Sequence, residues 1–350
     1  MSIVIVAGVL AIAFLATGRV TPEAAWRSID VDLLLVLFAL LIAVEILRGS
    51  GWLDFAVEKT VARFHRARSF AAMMLVVTGI LSMLVTNDIA LFVVIPFTVA
   101  ASRMSGFDVE DIVILEVIAA NLLGCLTPIG NPQNLFIYHR SHWSAGRFAL
   151  TMLPFFGICI AGLAIAVALL RGGTLTNTEP ELPPRNSRAA AAGAITFLLV
   201  LLEIARVVSG WPAAIAALVS AALFLRRRMD LSIVPLFFFA FIVVDGLRTF
   251  PLRLFDTYWS SIALSQVISN VPAALLLTPF AHGDWRELLY GVNAGGCGTI
   301  IASLANLLGW RIYRREAGSD SRFVLRLTWI NVAFLGWVGI GGRILLSALG

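Results

Sequence analysis

The sequence predicts an all-α polytopic membrane protein made of two inverted repeats, each holding a re-entrant hairpin and a broken transmembrane helix. Three observations predict it. First, 59% of the 350 residues are hydrophobic, 13% are charged and the mean hydropathy is +0.92, more apolar content than a water-soluble core needs. Second, Asn121 to Asn134, NLLGCLTPIGNPQN, interrupts an apolar run otherwise long enough to cross a bilayer. Proline removes a backbone donor and clashes with the preceding turn, so Pro128 and Pro132, with Gly124 and Gly130, open the helix there. Irregular backbone at membrane depth persists only where protein or a water-filled cavity satisfies it. Third, the pattern recurs.

Asn293 to Asn306, NAGGCGTIIASLAN, aligns with the first copy without gaps: Asn121 with Asn293, Gly124 with Gly296, Cys125 with Cys297, Thr127 with Thr299 and Asn134 with Asn306. Ser303 falls on Asn131, and both are N-cap residue types. Upstream of each copy lies another matched pair, Asn87 to Phe97 (NDIALFVVIPF) and Asn270 to Phe280 (NVPAALLLTPF). The order is the same in both halves, which makes an internal duplication the better account. Interrupted hydrophobic segments at corresponding positions of two halves point to the binding site of a secondary transporter.

Taken in order, apolar runs predict helices at about 3–17 and 31–47, followed by a basic amphipathic segment, Trp52 to Arg68, suited to the membrane surface. Residues 70–102 read as a hairpin with its tip at Thr86-Asn87-Asp88, each arm about fifteen residues and so short of the roughly 20 that span. A broken helix over 111–138 and a full helix over 148–170 complete the first repeat, residues 1–170. The polar stretch 171–188 reads as the linker between halves. The second repeat, 189–350, gives helices at about 190–209, 211–225 and 231–248. It continues with a hairpin over 257–282 with its tip at Ser269-Asn270, a broken helix over 288–312 and a last helix at 327–347. The whole amounts to about nine full crossings plus two hairpins. A cytoplasmic N-terminus puts the basic clusters Arg63 to Arg68, Arg226 to Arg228 and Arg311 to Arg315 inside, as the positive-inside rule requires, and orients the repeats oppositely.

The polar side chains at these breaks are the candidates for chemistry. Asn87 and Asn270 at the tips and Thr127 and Thr299 at the breaks offer hard oxygen ligands, with carbonyls freed near Gly130 and Ser303; these suit a sodium ion. The half-helix N-termini after Asn87, Asn131, Asn270 and Ser303 offer N–H groups to an anion. Asn121, Asn134, Ser269, Asn293 and Asn306 complete the predicted site. Against this stands the reading of buried asparagines as glue between helices. Asp88 is the leading proton or cation carboxylate, because an aspartate at membrane depth is costly; the bland alternative is a helix cap. Glu116 is a second possible proton carrier, unless it reaches the interface.

TPIGNPQN after an Asn-bearing segment, preceded by TND and echoed by SNV, resembles the ion transporter superfamily. That group holds arsenite efflux pumps, D-type sodium/proton antiporters, citrate-metal and dicarboxylate transporters, and the melanosomal P protein. The resemblance runs from about Arg19 to the end and leaves the cargo open. It implies an inverted-repeat fold, an elevator-like motion and a homodimer. Asp88 and Val271 stand where the dicarboxylate branch has a hydroxyl after each tip Asn, which puts that cargo in doubt.

Other classes are less well supported. The four histidines lie in loops without metal-ligand spacing, and no nucleophile triad or phosphate loop is present, so neither a metal site nor an enzyme is predicted. The pI near 9.6 is read as topology, not nucleic-acid affinity. Cys125, Cys159 and Cys297 all lie in apolar segments, against a disulfide framework. The first fifteen residues lack a basic start and a cleavage site, so they read as a first membrane helix. The expected function is ion-coupled secondary transport of a small inorganic or carboxylate anion with Na+ or H+ and no cofactor, in a bacterial inner membrane. The alternatives are a sodium/proton antiporter, which takes a cation, an arsenite efflux permease, or a channel or membrane sensor.

Overall fold

A computed structural model describes residues 2–29, 31–52, 55, 59, 63–170, 184–204, 207–225, 229, 231, 233–247, 256–278, 281, 285–318 and 321–349. Among them the regular elements are all helices. About half of the predicted surface segment, Trp52 to Arg68, and most of the linker 171–188 lie outside the described residues. The chain divides into two compact units, Met1–Phe55 with Leu182–Arg253, and Ala56–Glu181 with Leu254–Gly350. Each draws on both halves of the sequence.

In the first unit, α1 (Ser2–Ala16), α2 (Pro22–Ser28) and α3 (Val31–Gly49) pack with α9 (Ser187–Ile204), α10 (Gly210–Phe224) and α11 (Ile233–Leu247). The short α2 was not predicted; Thr21 caps it by accepting the Ala24 N–H at 3.2 Å, with Pro22 in the first turn. Ala11, Val20, Ala25 and Ile242 form its buried cluster, flanked by Phe14, Phe238 and Phe239.

The second unit holds both hairpins and both breaks. The first hairpin is α4 (Ala67–Val85) and α5 (Asn87–Ser105). Its arms are longer than predicted, 19 residues each, and by length and composition each could cross a bilayer. Polar ends account for the extra turns. Arg68 donates to the Leu170 carbonyl at 2.7 Å, and Gly106, in the left-handed region at φ 70°, closes α5. The second hairpin is shorter, α12 (Thr257–Ile268) and α13 (Asn270–Leu277).

Both helix breaks are observed where proline, glycine and the amides place them. The first runs from α6 (Glu110–Leu123) through a tight turn, Gly124–Leu126, and restarts as α7 (Pro132–Ser141). The second separates α14 (Trp285–Ala294) from α15 (Leu304–Ala317). The long helices α8 (Ala145–Leu169) and α16 (Ser321–Leu349) pack on each other and are apolar enough to span. Leu150, Leu169, Trp329 and Ile344 on these two helices are exposed, as expected where acyl chains replace water as solvent.

Candidate functional site

The breaks exist because their backbone groups find partners in the hairpin tips. The Asn87 N–H donates to the Gly130 carbonyl at 2.8 Å, and the Asn270 N–H to the Ala302 carbonyl at 2.9 Å. The residue before each tip Asn carries the strain: Thr86 has φ 92° and Ser269 has φ 76°, values that side-chain-bearing residues avoid unless the surroundings hold them. Thr127 Oγ1 donates to the Met83 carbonyl at 2.7 Å and Thr299 Oγ1 to the Gln266 carbonyl at 3.0 Å. Each hairpin is thereby tied to the break of its own half at matched positions.

The asparagines then tie one half to the other. Asn121 Nδ2 donates to Asn306 Oδ1 at 2.9 Å, and its counterpart Asn293 Nδ2 donates to Asn134 Oδ1 at 2.7 Å. Ser303 Oγ donates to Asn121 Oδ1 at 2.8 Å, while Asn131 Nδ2 donates to Asn293 Oδ1 at 3.0 Å. Asn134 and Asn306 reach back to the Thr127 and Thr299 carbonyls of their own breaks at 3.4 and 3.1 Å. These three bonds of one half thus have their counterparts in the other, and all six side chains are buried. In so dry a place every unmade bond is expensive, so this network holds two unwound segments rigidly together.

The predicted site residues divide accordingly. Asn121, Asn131, Asn134, Asn293, Ser303 and Asn306 make the bonds that join the two halves. Asn131 stands at the N-cap position with Pro132 first in the helix, but its amide bonds Asn121 and Asn293 instead of capping. The N–H groups of Asn87 and Asn270 themselves are committed to the Gly130 and Ala302 carbonyls. Thr127 and Thr299, half-buried, donate their protons and so keep oxygen lone pairs free for a cation. Asn87 donates to Asn121 Oδ1 at 2.9 Å and accepts the Asp88 N–H.

The acids separate. Asp88 lies in the first turn of α5, not at its cap, which is Thr86. It is buried beside the tip, and its Oδ1 has no hydrogen-bond partner among the described residues. Glu116 is fully buried within α6, which removes the interfacial reading; it bonds the Thr98 hydroxyl of α5, its Oε2 is unpartnered, and it makes no bond to the amide network.

Two glutamines escaped the sequence reading. Gln266 donates to the Gly295 and Cys297 carbonyls, both at 3.0 Å, and accepts the Thr299 N–H at 2.9 Å, so it clamps the second break. Gly298 sits against it at φ 113°, where an added Cβ would come within 2.1 Å of Gln266 Oε1. A polar side chain in an apolar arm, one turn before Asn270, was the available signal. Gln133, in the first turn of α7, was passed over between the two asparagines.

A family profile described as citrate transporter matches residues 1–284. The chain belongs to that family. Inner membrane protein YbiR of Escherichia coli is 31% identical over 94% of this chain and 91% of its own length. An uncharacterized transporter of Methanocaldococcus jannaschii is 30% identical over 87% of each chain. Silicon efflux transporter LSI3 of Oryza sativa subsp. japonica is 29% identical over 43% of this chain and 30% of its own. Family membership and the apolar helices together make this an integral membrane protein of the transporter class.

Proposed function

We propose that this citrate transporter family member is an ion-coupled secondary active transporter whose cargo and coupling ion bind where the two tips meet the two breaks. The observation that carries the reading is the reciprocal amide network. Two unwound segments, each braced by a hairpin tip, are held face to face by matched bonds, the arrangement expected of repeats that share one central site. The repeats are inverted, the N-terminus is cytoplasmic, and the crossings number about nine with both hairpins re-entrant. The protein sits in a bacterial inner membrane as a homodimer. The cargo is a small inorganic or carboxylate anion moved with Na+ or H+, with Na+ held by Asn87, Thr127, Asn270 and Thr299 and the proton by Asp88 or Glu116. A silicon oxyacid joins the candidates through the likeness to LSI3. Arsenite efflux is tested by rescue of a cell that lacks its own pump.

Reconstitution in proteoliposomes tests this. Citrate, succinate, arsenite and orthosilicic acid are offered under a sodium or a proton gradient, and saturable flux with counterflow is expected for at least one. Flux without counterflow would mean a channel, and none at all would end the reading of an oxygen-bearing solute as cargo. Among the tip variants, Asn270→Ala should retain the wild-type melting temperature, because Asn270 makes no side-chain bond to lose, while transport falls at least tenfold. Unchanged flux in Asn270→Ala would remove the tip from the site.

Asp88 favours a second reading, sodium/proton antiport without an anion. An unpartnered carboxyl oxygen in an apolar setting attracts a proton or a cation. Asp88→Asn cannot exchange a proton, so the pH dependence of transport should flatten. A pH profile equal to wild type would leave Asp88 as part of the helix start. A sodium gradient that changes lumenal pH without any added anion would favour antiport.

A further inference from the structure

The matched bonds leave one asymmetry. Where α5 packs on α15, Asn87 and Ser303 both donate to Asn121 Oδ1, Asn87 accepts the Asp88 N–H and Ser303 the Ala305 N–H, so both side chains are engaged. Where α7 packs on α13, the corresponding side chains are only partly so: Asn131 Nδ2 donates to the Asn121 carbonyl and to Asn293 Oδ1, and nothing answers its oxygen among the described residues. Asn131 is fully buried and its Oδ1 has no partner. Asn270 is 2% exposed and makes no side-chain hydrogen bond among the described residues. Its amide lies beside Asn293, because a Cβ on Gly296 would meet Asn270 Nδ2 at 2.9 Å and the Asn293 carbonyl at 3.3 Å. Gln133 is 1% exposed, its Oε1 is buried without a partner, and its amide makes no bond among the described residues.

The position matching Gln133 in the second half is Ala305, which is fully buried. The fold therefore accepts a methyl group there, and an unpaired amide at Gln133 destabilises the resting protein. Asn131 Oδ1, Gln133 Oε1 and the Asn270 side chain, unsatisfied among the described residues near the starts of two packed helices, are better explained by a ligand than by packing. They present both acceptor oxygens and N–H donors.

We propose that Gln133 contacts the cargo and sets its specificity, forming with Asn131 and Asn270 an amide-lined half-site for a small oxygen-bearing solute that both donates and accepts hydrogen bonds. This rests on the transporter reading above. The opposite half-site, closed by Ser303 and Ala305 and flanked by Asp88, is left to the proton. The division of labour follows from side chains that differ between otherwise matched positions.

The test uses the full-length protein with Gln133→Met, an unbranched side chain of similar length without the amide, and Gln133→Asn, which withdraws the amide by one methylene. The solutes are citrate, succinate, arsenite and orthosilicic acid. For whichever of them the wild type carries, Gln133→Met should raise KM about tenfold with kcat changed far less, and Gln133→Asn should shift KM in the same direction. Without solute, Gln133→Met should melt at or above the wild-type temperature. An unchanged KM in either variant, or a melting temperature several degrees lower for Gln133→Met, overturns the assignment. A wild type that carries none of the four overturns the reading of an oxygen-bearing solute as cargo as well, so the two failures are distinguishable.

Discussion

Gly130→Ala is expected to abolish transport and to lower the melting temperature by several degrees. A Cβ at this position would lie 2.1 Å from the Gly124 carbonyl oxygen, 2.9 Å from its carbon and 2.9 Å from Thr127 Oγ1. The first two are backbone atoms and have no rotamer to move into. Relief therefore requires displacing the loop, and overpacking of this kind costs typically 1–3 kcal/mol or more. The displacement also moves the Gly130 carbonyl, which receives the Asn87 N–H at 2.8 Å, so the strain passes directly to the hairpin tip. Ala302 occupies the matched position and already carries a Cβ, which makes Ala302→Gly the control, with a loss near 1 kcal/mol from added backbone freedom. Melting curves and initial uptake rates of the two variants check the pair. Wild-type flux in Gly130→Ala would mean that the two loops do not approach so closely.

Asn121→Ala should be the most damaging of the amide replacements. Its side chain receives Asn87 Nδ2 and Ser303 Oγ and donates to Asn306 Oδ1, so one truncation strands three buried groups from both halves. Each unsatisfied buried group costs about 1–3 kcal/mol, and the sum is less than additive because the groups share one network. Asn293→Ala, its counterpart, strands Asn134 Oδ1 and leaves Asn131 Nδ2 with the Asn121 carbonyl alone, so it should be somewhat milder. Asn270→Ala strands nothing. The expected order of melting temperatures is therefore Asn270→Ala above Asn293→Ala above Asn121→Ala, with transport lost in all three. A cycle combining Asn121→Ala with Asn306→Ala measures the bond between halves; a coupling of zero would mean that the halves are not joined through it.

Much of this architecture was legible in the chain because the bilayer limits what backbone can do. Pro128, Pro132 and the amides around them could not continue a helix in lipid, so both breaks fell where expected, at Gly124–Leu126 and before Leu304. The tip asparagines were legible for the same reason. The arm lengths were not, because the apolar run over 70–102 read as the whole hairpin, whereas α4 and α5 extend from Ala67 to Ser105. The short α2 lay between two apolar runs and carried only its Thr-Pro start as a signal. Gln133 and Gln266 were hidden by their neighbours: one lies between two asparagines and the other in an arm read as uniformly apolar.

The sequence alone determined the class of the protein, the positions of its two interruptions and their pairing across the halves, because proline chemistry, hydropathy and repetition are properties of linear order. Which amides fasten and which remain open was decided only in three dimensions. Asn121 and Asn131 are the same residue type at equal standing in the sequence, yet one is saturated by Asn87, Ser303 and Asn306 while the other keeps a buried oxygen without a partner. Hydrogen-bond satisfaction depends on what the partner half brings within 3 Å, and no spacing along the chain encodes that.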